Sequence, residues 1–273
     1  MKVKVLVENT SVSADFKSKH GLCLYIQTVK HKILFDLGSD ALFFENALKM
    51  GVSIAEIDTL IISHGHVDHA GALGLFLKNN HSAKVYIRES AFDKHFTKVL
   101  GVPFNVGLDS SLKSNARVIF TKDYEIIDDE LTLFSDVQAG ELTSASNSAL
   151  FAEIDGIKRV DDFRHEQNLL VFEGEKAVLF AGCAHAGIVN IKARAEALAD
   201  GKPLKVIGGF HLCNPVTKKH ERKELVQAVA ERIDDGKTYY YTCHCTGQRA
   251  FRILKERLQD NLNYLATGAD IEL

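Results

Sequence analysis

The apolar residues of this chain fall into short runs separated by polar turns, and runs of this length are typical of β-strands. In the first half, strands are predicted at residues 2–8, 22–29, 32–36, 57–62, 84–88, 117–120, 125–127, 131–134 and 150–154. In the second half, they are predicted at residues 168–173, 176–181, 205–209 and 238–242. Helical patterns occur at residues 40–50, 72–80 and 90–100, and a helix is expected before each of the last two strands.

The order of these elements predicts an α/β fold. Short connections between the first three strands indicate an antiparallel start to a sheet, and residues 53–56 are expected to form a capping box on a short helical turn. Residues 101–116 are the least regular stretch and are expected to form a loop over a site. No proline-rich or low-complexity tract divides the chain, so we expect a single domain over residues 1–273.

The apolar strand at residues 57–62 is followed by a dense cluster of side chains that bind metals. Three imidazoles and one carboxylate occur within six residues, at His64, His66, Asp68 and His69. Neither a helix nor a strand would point all four inward, so the segment is expected to be a loop at the carboxyl end of the strand. Neutral imidazole and carboxylate are the usual nitrogen and oxygen ligands of zinc and its neighbours. The sequence therefore predicts a metal site here.

Three later strands also lead into a histidine, at His185, His211 and His244. The segment around His185 reads AGCAHAGI and echoes SHGHVDHAGAL after the earlier strand, so the second half of the chain repeats the order strand, histidine, Ala-Gly, helix. If these strands are neighbours, the imidazoles lie along one sheet edge, which is where α/β proteins place their chemistry.

The sequence leaves the roles of several other polar residues open. Asp36, at the end of a strand, is either a turn residue or a residue that orients a metal ligand. His20 either leans over the site from an N-terminal loop or lies on the surface. Four histidines have charged or polar neighbours and are expected to be solvated, namely His31, His81, His95 and His220.

Composition and charge narrow the class of protein. The net charge of −3 and the pI near 6.5 provide no basic surface for nucleic acid. No apolar run is long enough to cross a bilayer, and the N-terminus lacks the features of a secretory signal, so we expect a cytoplasmic protein without a membrane partner. Five cysteines without CxxC pairing argue against a disulfide framework, and Cys243 and Cys245 are expected to be packing or turn residues.

The segment HGHVDH at residues 64–69 matches the HxHxDH motif of the metallo-β-lactamase fold superfamily. FDLGSD upstream, HEQNLLVF at residues 165–172 and VLFAGC at residues 178–183 resemble its later motifs in order and spacing. KHGLCLYI at residues 19–26, GCAHAGI, GGFHL and CHCTG are similar to the branch related to the methanopterin-pathway synthase, often labelled dihydropteroate-synthase-like. The resemblance implies a four-layer αββα sandwich of two mixed β-sheets with a metal site at one rim.

The resemblance also implies two divalent metal ions, with zinc as the default and iron or manganese as alternatives. The first ion would be bound by His64 and His66, and the second by Asp68 and His69.

Each ion then needs a further ligand from the second half of the chain. For the first ion, His185 is preferred over His165. For the second ion, His211 and His244 compete, with His211 placed first. Where many relatives have a bridging aspartate, this chain has Cys183, which is either a ligand or a small buried thiol.

The function implied is a metal-dependent hydrolase that uses a metal-bound hydroxide on a phosphoester, a carboxylic ester or a lactone. Asp68 would orient the nucleophile, and a histidine left over among His165, His211 and His244 would donate a proton to the leaving group, with His244 placed first. The expected partner is a small-molecule substrate, and the oligomeric state stays open, a homo-oligomer included.

The same resemblance implies two other reaction classes. A transferase would condense a pterin-like phosphate or pyrophosphate with an aromatic amine, as in the methanopterin-pathway synthase. An oxidoreductase ranks third, because the related di-iron sites accompany a flavin-carrying domain and no second domain is expected here.

Overall fold

The computed structural model describes residues 1–99, 101–214 and 219–273. Within these ranges the strands, in chain order, are β1 (Lys2–Val7), β2 (Cys23–Gln27), β3 (Lys32–Phe35), β4 (Thr59–Ile61), β5 (Lys84–Ile87), β6 (Lys94–Val99), β7 (Val102–Asn105), β8 (Val118–Phe120), β9 (Tyr124–Ile126), β10 (Leu131–Phe134), β11 (Leu150–Ile154), β12 (Ile157–Val160), β13 (Asn168–Glu173), β14 (Lys176–Ala181), β15 (Leu204–Gly208), β16 (Tyr239–Thr242), β17 (Leu262–Tyr264) and β18 (Asp270–Glu272). The α-helices of the same ranges are α1 (Leu42–Lys49), α2 (Val67–Ala70), α3 (Leu73–Asn79), α4 (Ile188–Ala199), α5 (Lys223–Ile233) and α6 (Gln248–Leu258). None of these helices is long and apolar enough to cross a membrane.

The strands of the described ranges form two seven-stranded sheets and one four-stranded sheet. The first sheet has the order β18-β1-β2-β3-β4-β5-β8, and the second has the order β17-β16-β15-β14-β13-β10-β9. In the first sheet the pairs from β18 to β3 are antiparallel and those from β3 to β8 are parallel. In the second sheet the pairs from β17 to β14 are parallel and those from β14 to β9 are antiparallel. The predicted antiparallel start is confirmed, and both sheets are mixed.

The two large sheets pack face to face, with helices on their outer sides. Side chains of both sheets, among them Leu24, Phe35, Leu133 and Phe180, form one buried apolar cluster between them. Helices α1 and α3 cover the outer face of the first sheet, and α4, α5 and α6 cover that of the second. Burying an apolar side chain of this size contributes about 1.5–3 kcal/mol. The observed architecture is the expected four-layer αββα sandwich.

The four-stranded sheet, of order β12-β11-β6-β7, was not expected from the sequence. The prediction of a helix at residues 90–100 is wrong, because a short 3₁₀ turn is followed there by β6, which pairs with β11. His95 and Thr97 of β6 are buried while Lys94 and Lys98 are exposed, a period of two that suits a strand. Leu100, the last residue of the predicted helix, lies outside the described residues.

The remaining predicted elements agree well with the structure. Each predicted strand coincides with an observed one to within two residues at either end. The short helical turn after Ser53 is present, but the Ser53 side chain makes no capping hydrogen bond, so the predicted capping box is wrong. Residues 101–116 are more regular than expected, since they contain β7 and a 3₁₀ turn at Ser110–Ser114.

The prediction that His31 is solvated is wrong. Its side chain is only 19% exposed and bridges two turns at one end of the sandwich. Its Nδ1 lies 2.9 Å from Asp58 Oδ1, and its Nε2 lies 2.6 Å from Asp128 Oδ2. Burial lowers the pKa of His31, but the hydrogen bonds and charges of the two aspartates outweigh burial and raise it overall.

We expect His31→Gln to destabilise the protein only at acidic pH. Because the folded state raises the pKa of His31, the ion pairs stabilise fully below the unfolded-state pKa near 6.5, and this stabilisation disappears as the pH rises through the folded-state pKa. Since the ring is partly solvated, the loss at pH 5.5 should be about 0.5–1 kcal/mol. Urea unfolding at pH 5.5 and 8.5 measures it, with the exposed His81→Gln as control. A loss of equal size at both pH values would contradict the prediction.

Candidate metal centre

The carboxyl ends of β4, β14, β15 and β16 meet at one rim of the sandwich. The loops that follow them carry His64, His185, His211 and His244, and β14, β15 and β16 are parallel neighbours as the prediction required. The ring centroids of His64 and His185 are 5.0 Å apart, and those of His185 and His211 are 4.3 Å apart. The rim therefore gathers imidazoles from both large sheets.

Glycine at position 182 allows this close approach of the two sheets. A Cβ atom built there would lie 2.1 Å from Ser63 Oγ and 3.2 Å from His64 Nδ1. Any side chain at this point would push the β14 loop away from the loop that follows β4.

A first group of donor atoms is contributed by His64, His66 and His185. Ser63 Oγ donates to Asp36 at 2.7 Å, so it accepts the hydrogen bond from His64 Nδ1 at 2.8 Å and leaves a lone pair on His64 Nε2. The Nε2 atoms of all three histidines are buried and have no hydrogen-bond partner among the described residues. Buried nitrogens without a partner are rare unless a ligand or ion satisfies them, so this group fits a metal ion.

The electrostatic setting keeps these three imidazoles neutral. Burial is the largest reason that the pKa values of His64, His66 and His185 lie well below the usual range, and neighbouring histidines lower them further. The neutral ring is the form that binds metal.

A second group of donor atoms consists of Asp68, His69, Cys183 and His244. Asp36 accepts a hydrogen bond from His69 Nδ1 at 2.7 Å, which leaves the lone pair of His69 on Nε2. That Nε2 lies 3.1 Å from His244 Nε2 and 3.2 Å from Cys183 Sγ. Asp68 Oδ2 lies 3.3 Å from His244 Nε2.

The tautomer of His244 is fixed from the opposite side of its ring. Asn9 Nδ2 donates to the His244 carbonyl, so Asn9 Oδ1, 3.0 Å from His244 Nδ1, accepts from that nitrogen. With both rings neutral, the Nε2 lone pairs of His69 and His244 would face each other at 3.1 Å, which is repulsive unless a proton or a metal ion lies between them. This second group therefore also fits a metal ion.

The charges of the second group favour cation binding. Burial raises the pKa of Asp68, but the neighbouring imidazoles of His69, His20 and His244 outweigh it and hold the pKa well below the usual range. Burial lowers the pKa of His69, but Asp36 and Asp68 outweigh burial and raise it overall. The carboxylate thus stays ionised, and a metal ion would replace the proton of His69.

His165 lies beside the first group, but both of its ring nitrogens are already used. The Gly65 amide donates to His165 Nδ1 at 2.9 Å, and Nε2 lies 3.1 Å from Asp161 Oδ2. His95, expected to be solvated, is buried and lies 2.9 Å from the same carboxylate. Burial raises the pKa of Asp161, but the hydrogen bonds from His165 and His95 outweigh it and lower the pKa strongly. This geometry favours His185 over His165 as a ligand.

Glu166 holds the loop that carries His185. Its carboxylate accepts hydrogen bonds from the backbone amides of His185 and Ala186 at 2.7 and 2.9 Å. Burial raises the pKa of Glu166 to about 7, although these two bonds oppose the rise. His185 Nδ1 is in turn 3.1 Å from Asn147 Oδ1, which directs Nε2 toward the first group.

His211 lies apart from Asp68 and His69, which differs from the grouping expected from the sequence. The structure instead places it with Cys183 and Cys245. Burial opposes ionisation of Cys245, but the neighbouring side chains of Cys183 and His211 outweigh burial and hold the pKa of its thiol well below the usual range. Burial raises the pKa of Cys183.

The N-terminal segment forms one wall of the site. His20 Nε2 lies 3.0 Å from Asp68 Oδ2, and its ring stacks on His244 with centroids 4.8 Å apart, so His20 leans over the site. Glu8 accepts a hydrogen bond from the His244 amide at 2.7 Å. Glu8 and Asn9 were not found from the sequence, because nothing local links them to a histidine more than 230 residues away.

A pocket of about 200 Å³ opens onto the second group. Its polar wall includes Asp68, His185 and His244, and its apolar wall includes Val106 and Leu150. Val106 follows β7, and Leu150 begins β11. The four-stranded sheet and residues 101–116 therefore both line the pocket, and for residues 101–116 this agrees with the predicted position over a site.

Comparison with known families assigns the chain to one superfamily. The sequence profile described as the metallo-beta-lactamase superfamily matches residues 19–188, which contain the HGHVDH loop and the strands around it. The chain belongs to the metallo-beta-lactamase superfamily. The resemblance seen in the sequence is thereby confirmed.

Three similar proteins each match 93% or more of the chain. A crystal structure of Tm1679, titled a metal-dependent hydrolase of the beta-lactamase superfamily, is 28% identical with a TM-score of 0.84 and covers 100% of this chain and 99% of that one. The uncharacterized protein MJ0448 of Methanocaldococcus jannaschii is 26% identical over 93% of this chain and 94% of its own. The 7,8-dihydropterin-6-methyl-4-(beta-D-ribofuranosyl)-aminobenzene-5'-phosphate synthase of the same organism is 25% identical over 100% of this chain and 96% of its own.

Metallo-beta-lactamase superfamily proteins bind divalent metals, and the donor groups of this chain agree with that property. Cys183 is close to donors of both groups, at the position where the resemblance implied a bridging aspartate. Besides Glu8 and Asn9, sequence reasoning missed the roles of His95, Asp161 and Cys245 at the site. Asp161 precedes His165 by four residues, which was the one local signal available.

Proposed function

We propose that this protein is a metal-dependent hydrolase with two divalent ions, zinc by default, that acts on a phosphoester, a carboxylic ester or a lactone. The observation that carries the proposal is the pair of Nε2 atoms of His69 and His244, which face each other at 3.1 Å beside Cys183 and Asp68. Such an arrangement of lone pairs and negative charge needs either a proton or a metal ion between the nitrogens, and the sulfur and carboxylate donors beside them suit a metal ion.

The two donor groups would hold the two ions. His64, His66 and His185 would bind one, and the other would be bound by Asp68, His69, Cys183 and His244. When bound, divalent ions lower the pKa of a water molecule and polarise the oxygen of the bond to be cleaved. An open position for substrate is expected at each ion, because the pocket reaches residues of both groups.

Asp68 and His20 are the residues we assign to the proton movements. Asp68 is ionised and partly exposed to the pocket, so its carboxylate can accept a hydrogen bond from an attacking water and orient it. His20 is 35% exposed, lines the pocket and lies 3.0 Å from Asp68. His244 packs with the second donor group, so we assign proton donation to the leaving group to His20 instead.

The pocket supports a small-molecule substrate. A volume of about 200 Å³ with one apolar wall suits a compact ester or lactone, or one end of a larger molecule. The metal ions would supply the local positive charge for an anionic substrate, since the protein itself has a net charge of −3.

Removal and return of metal test the proposal. We expect chelator-treated protein to lose hydrolysis of a panel of aryl phosphodiesters, aryl esters and lactones, and to regain it with about two equivalents of Zn²⁺. His66→Ala should lower kcat/KM by about a hundredfold or more, while His81→Gln, an exposed histidine, should leave it unchanged. Turnover by metal-free protein, or by His66→Ala at the wild-type rate, would contradict the proposal.

A transferase is the second candidate, favoured by the synthase relative that aligns with the entire chain. In this case the same metal groups would bind a pterin-like phosphate or pyrophosphate and promote its condensation with an aromatic amine. Mass spectrometry of reactions that contain both compounds separates the two candidates. A condensed product would support the transferase, and hydrolysed phosphate alone would support the hydrolase.

A further inference from the structure

Cys183, His211 and Cys245 form a sulfur-rich cluster at the ends of β14, β15 and β16. One ligand-type atom of each lies within 4.8 Å of the others. The His211 amide donates to Cys245 Sγ at 3.2 Å, and Cys245 Sγ lies 3.5 Å from the Cys183 carbonyl oxygen. Around a zinc ion with bonds of about 2.0–2.3 Å, donor atoms lie roughly 3.3–3.8 Å apart, so a small contraction of this cluster would enclose an ion.

The imidazole of His211 is the strongest sign of a missing ligand. Its side chain belongs to a residue only 4% exposed, and neither Nδ1 nor Nε2 has a hydrogen-bond partner among the described residues. Each buried polar atom left without a partner costs about 1–3 kcal/mol. A metal ion bound to one ring nitrogen removes this cost for that atom, whereas apolar packing of the ring does not.

The backbone is shaped to bring this imidazole and the Cys245 thiol together. A Cβ atom at position 209 would lie 2.4 Å from Cys245 Sγ, so only glycine lets the chain pass the sulfur. His211 itself has a φ of 49°, in the left-handed region that costs energy for residues other than glycine.

The other buried cysteines of the described residues have different surroundings. Cys23 and Cys243 lie inside the apolar clusters of the sandwich, as expected for small hydrophobic side chains. Cys183 and Cys245 are equally buried but belong to none of these clusters, and each has imidazoles around it.

We propose that Cys183, His211 and Cys245 form a third metal position, which binds a thiophilic divalent ion such as zinc or cadmium through two thiolates and one imidazole. Cys183 also belongs to the second group, and each cysteine binds the ion as a thiolate, so any proton that it carries passes to solvent as the ion binds. Two sulfurs and one nitrogen leave a fourth position open toward the pocket, which these residues line. The proposal concerns metal binding alone and does not depend on which reaction the protein catalyses.

Cobalt titration of the metal-free protein tests the third position. We expect the wild type to bind one equivalent more than His211→Gln, and to show the near-ultraviolet absorption of thiolate bound to Co²⁺. In Cys245→Ser this absorption should fall by about half, because one of two thiolates is lost. Cys213→Ser, at the neighbouring half-exposed cysteine, is the matched control and should match the wild type in both readouts.

His211→Gln separates metal binding from folding. The His211 ring makes no hydrogen bond to the described residues, so its replacement should leave the circular dichroism spectrum unchanged. Equal metal content and equal sulfur absorption in wild type, His211→Gln and Cys245→Ser would overturn the third position. Two equivalents in all three proteins, with normal hydrolysis, would overturn it and leave the proposed function intact.

Discussion

Asp68→Asn is expected to lower hydrolysis by about a thousandfold while the protein remains folded. The amide keeps the size of the side chain but removes the negative charge that faces His20, His69 and His244. The substitution would thereby weaken the binding of an ion to the second group, and it removes the acceptor that orients the attacking water. Each of these effects is expected to lower the rate by a factor of about ten to several hundred. Steady-state kinetics with the best substrate of the panel, together with metal analysis, measures the loss.

The matched control for this substitution is Asp129→Asn, at a carboxylate whose side chain is 74% exposed and pairs with Lys30. It should leave kcat/KM within about twofold of the wild type. Wild-type turnover by Asp68→Asn at full metal occupancy would remove Asp68 from the mechanism.

Asp36→Ala is expected to show the largest loss of stability of any single substitution at the rim. Asp36 is fully buried and accepts hydrogen bonds from the Ser63 amide, Ser63 Oγ and His69 Nδ1, all at 2.7 Å. Alanine leaves these three donors without an acceptor in the interior, and we expect a loss of about 3–5 kcal/mol. Because His64 bonds to Ser63, the orientation of His64 is disturbed as well as that of His69.

Metal affinity gives a second readout for Asp36. Loss of a residue that orients metal ligands lowers affinity by about 10–100-fold. Urea unfolding of the metal-free protein isolates the hydrogen-bond effect, and competition with a chelator measures the affinity. Asp40→Ala, a half-exposed carboxylate of the same FDLGSD segment, should change stability by less than about 1 kcal/mol. An Asp36→Ala protein as stable as Asp40→Ala would show that water satisfies the freed donors.

Much of the fold could be predicted because the strands are buried on both faces. A run such as residues 177–181 is apolar throughout and short, which identifies a strand independently of its neighbours. The four-stranded sheet was missed for the opposite reason. Its strands β7 and β12 are exposed along their whole length, and β6 is defined by its pairing with β11 rather than by its own composition.

The candidate site likewise has a part that could be predicted from the sequence and a part that could not. HGHVDH is recognisable from the sequence because its donors are local, and the strand-end histidines are recognisable because strand, turn and histidine recur in order. The choice between His165 and His185 could not be made there, since it depends on the Gly65 amide and Asp161 occupying both nitrogens of His165.

The sequence by itself determined the superfamily, the sandwich and the loop His64 to His69, because apolar runs and locally clustered ligands are properties of neighbouring residues. Only the tertiary structure decided which donors share a space: His244 with His69, and His211 with Cys245. It also brought Asn9 to His244, across most of the chain. The physical reason is that a lone pair becomes a ligand only when the rest of its ring is fixed, and the groups that fix it lie on distant strands.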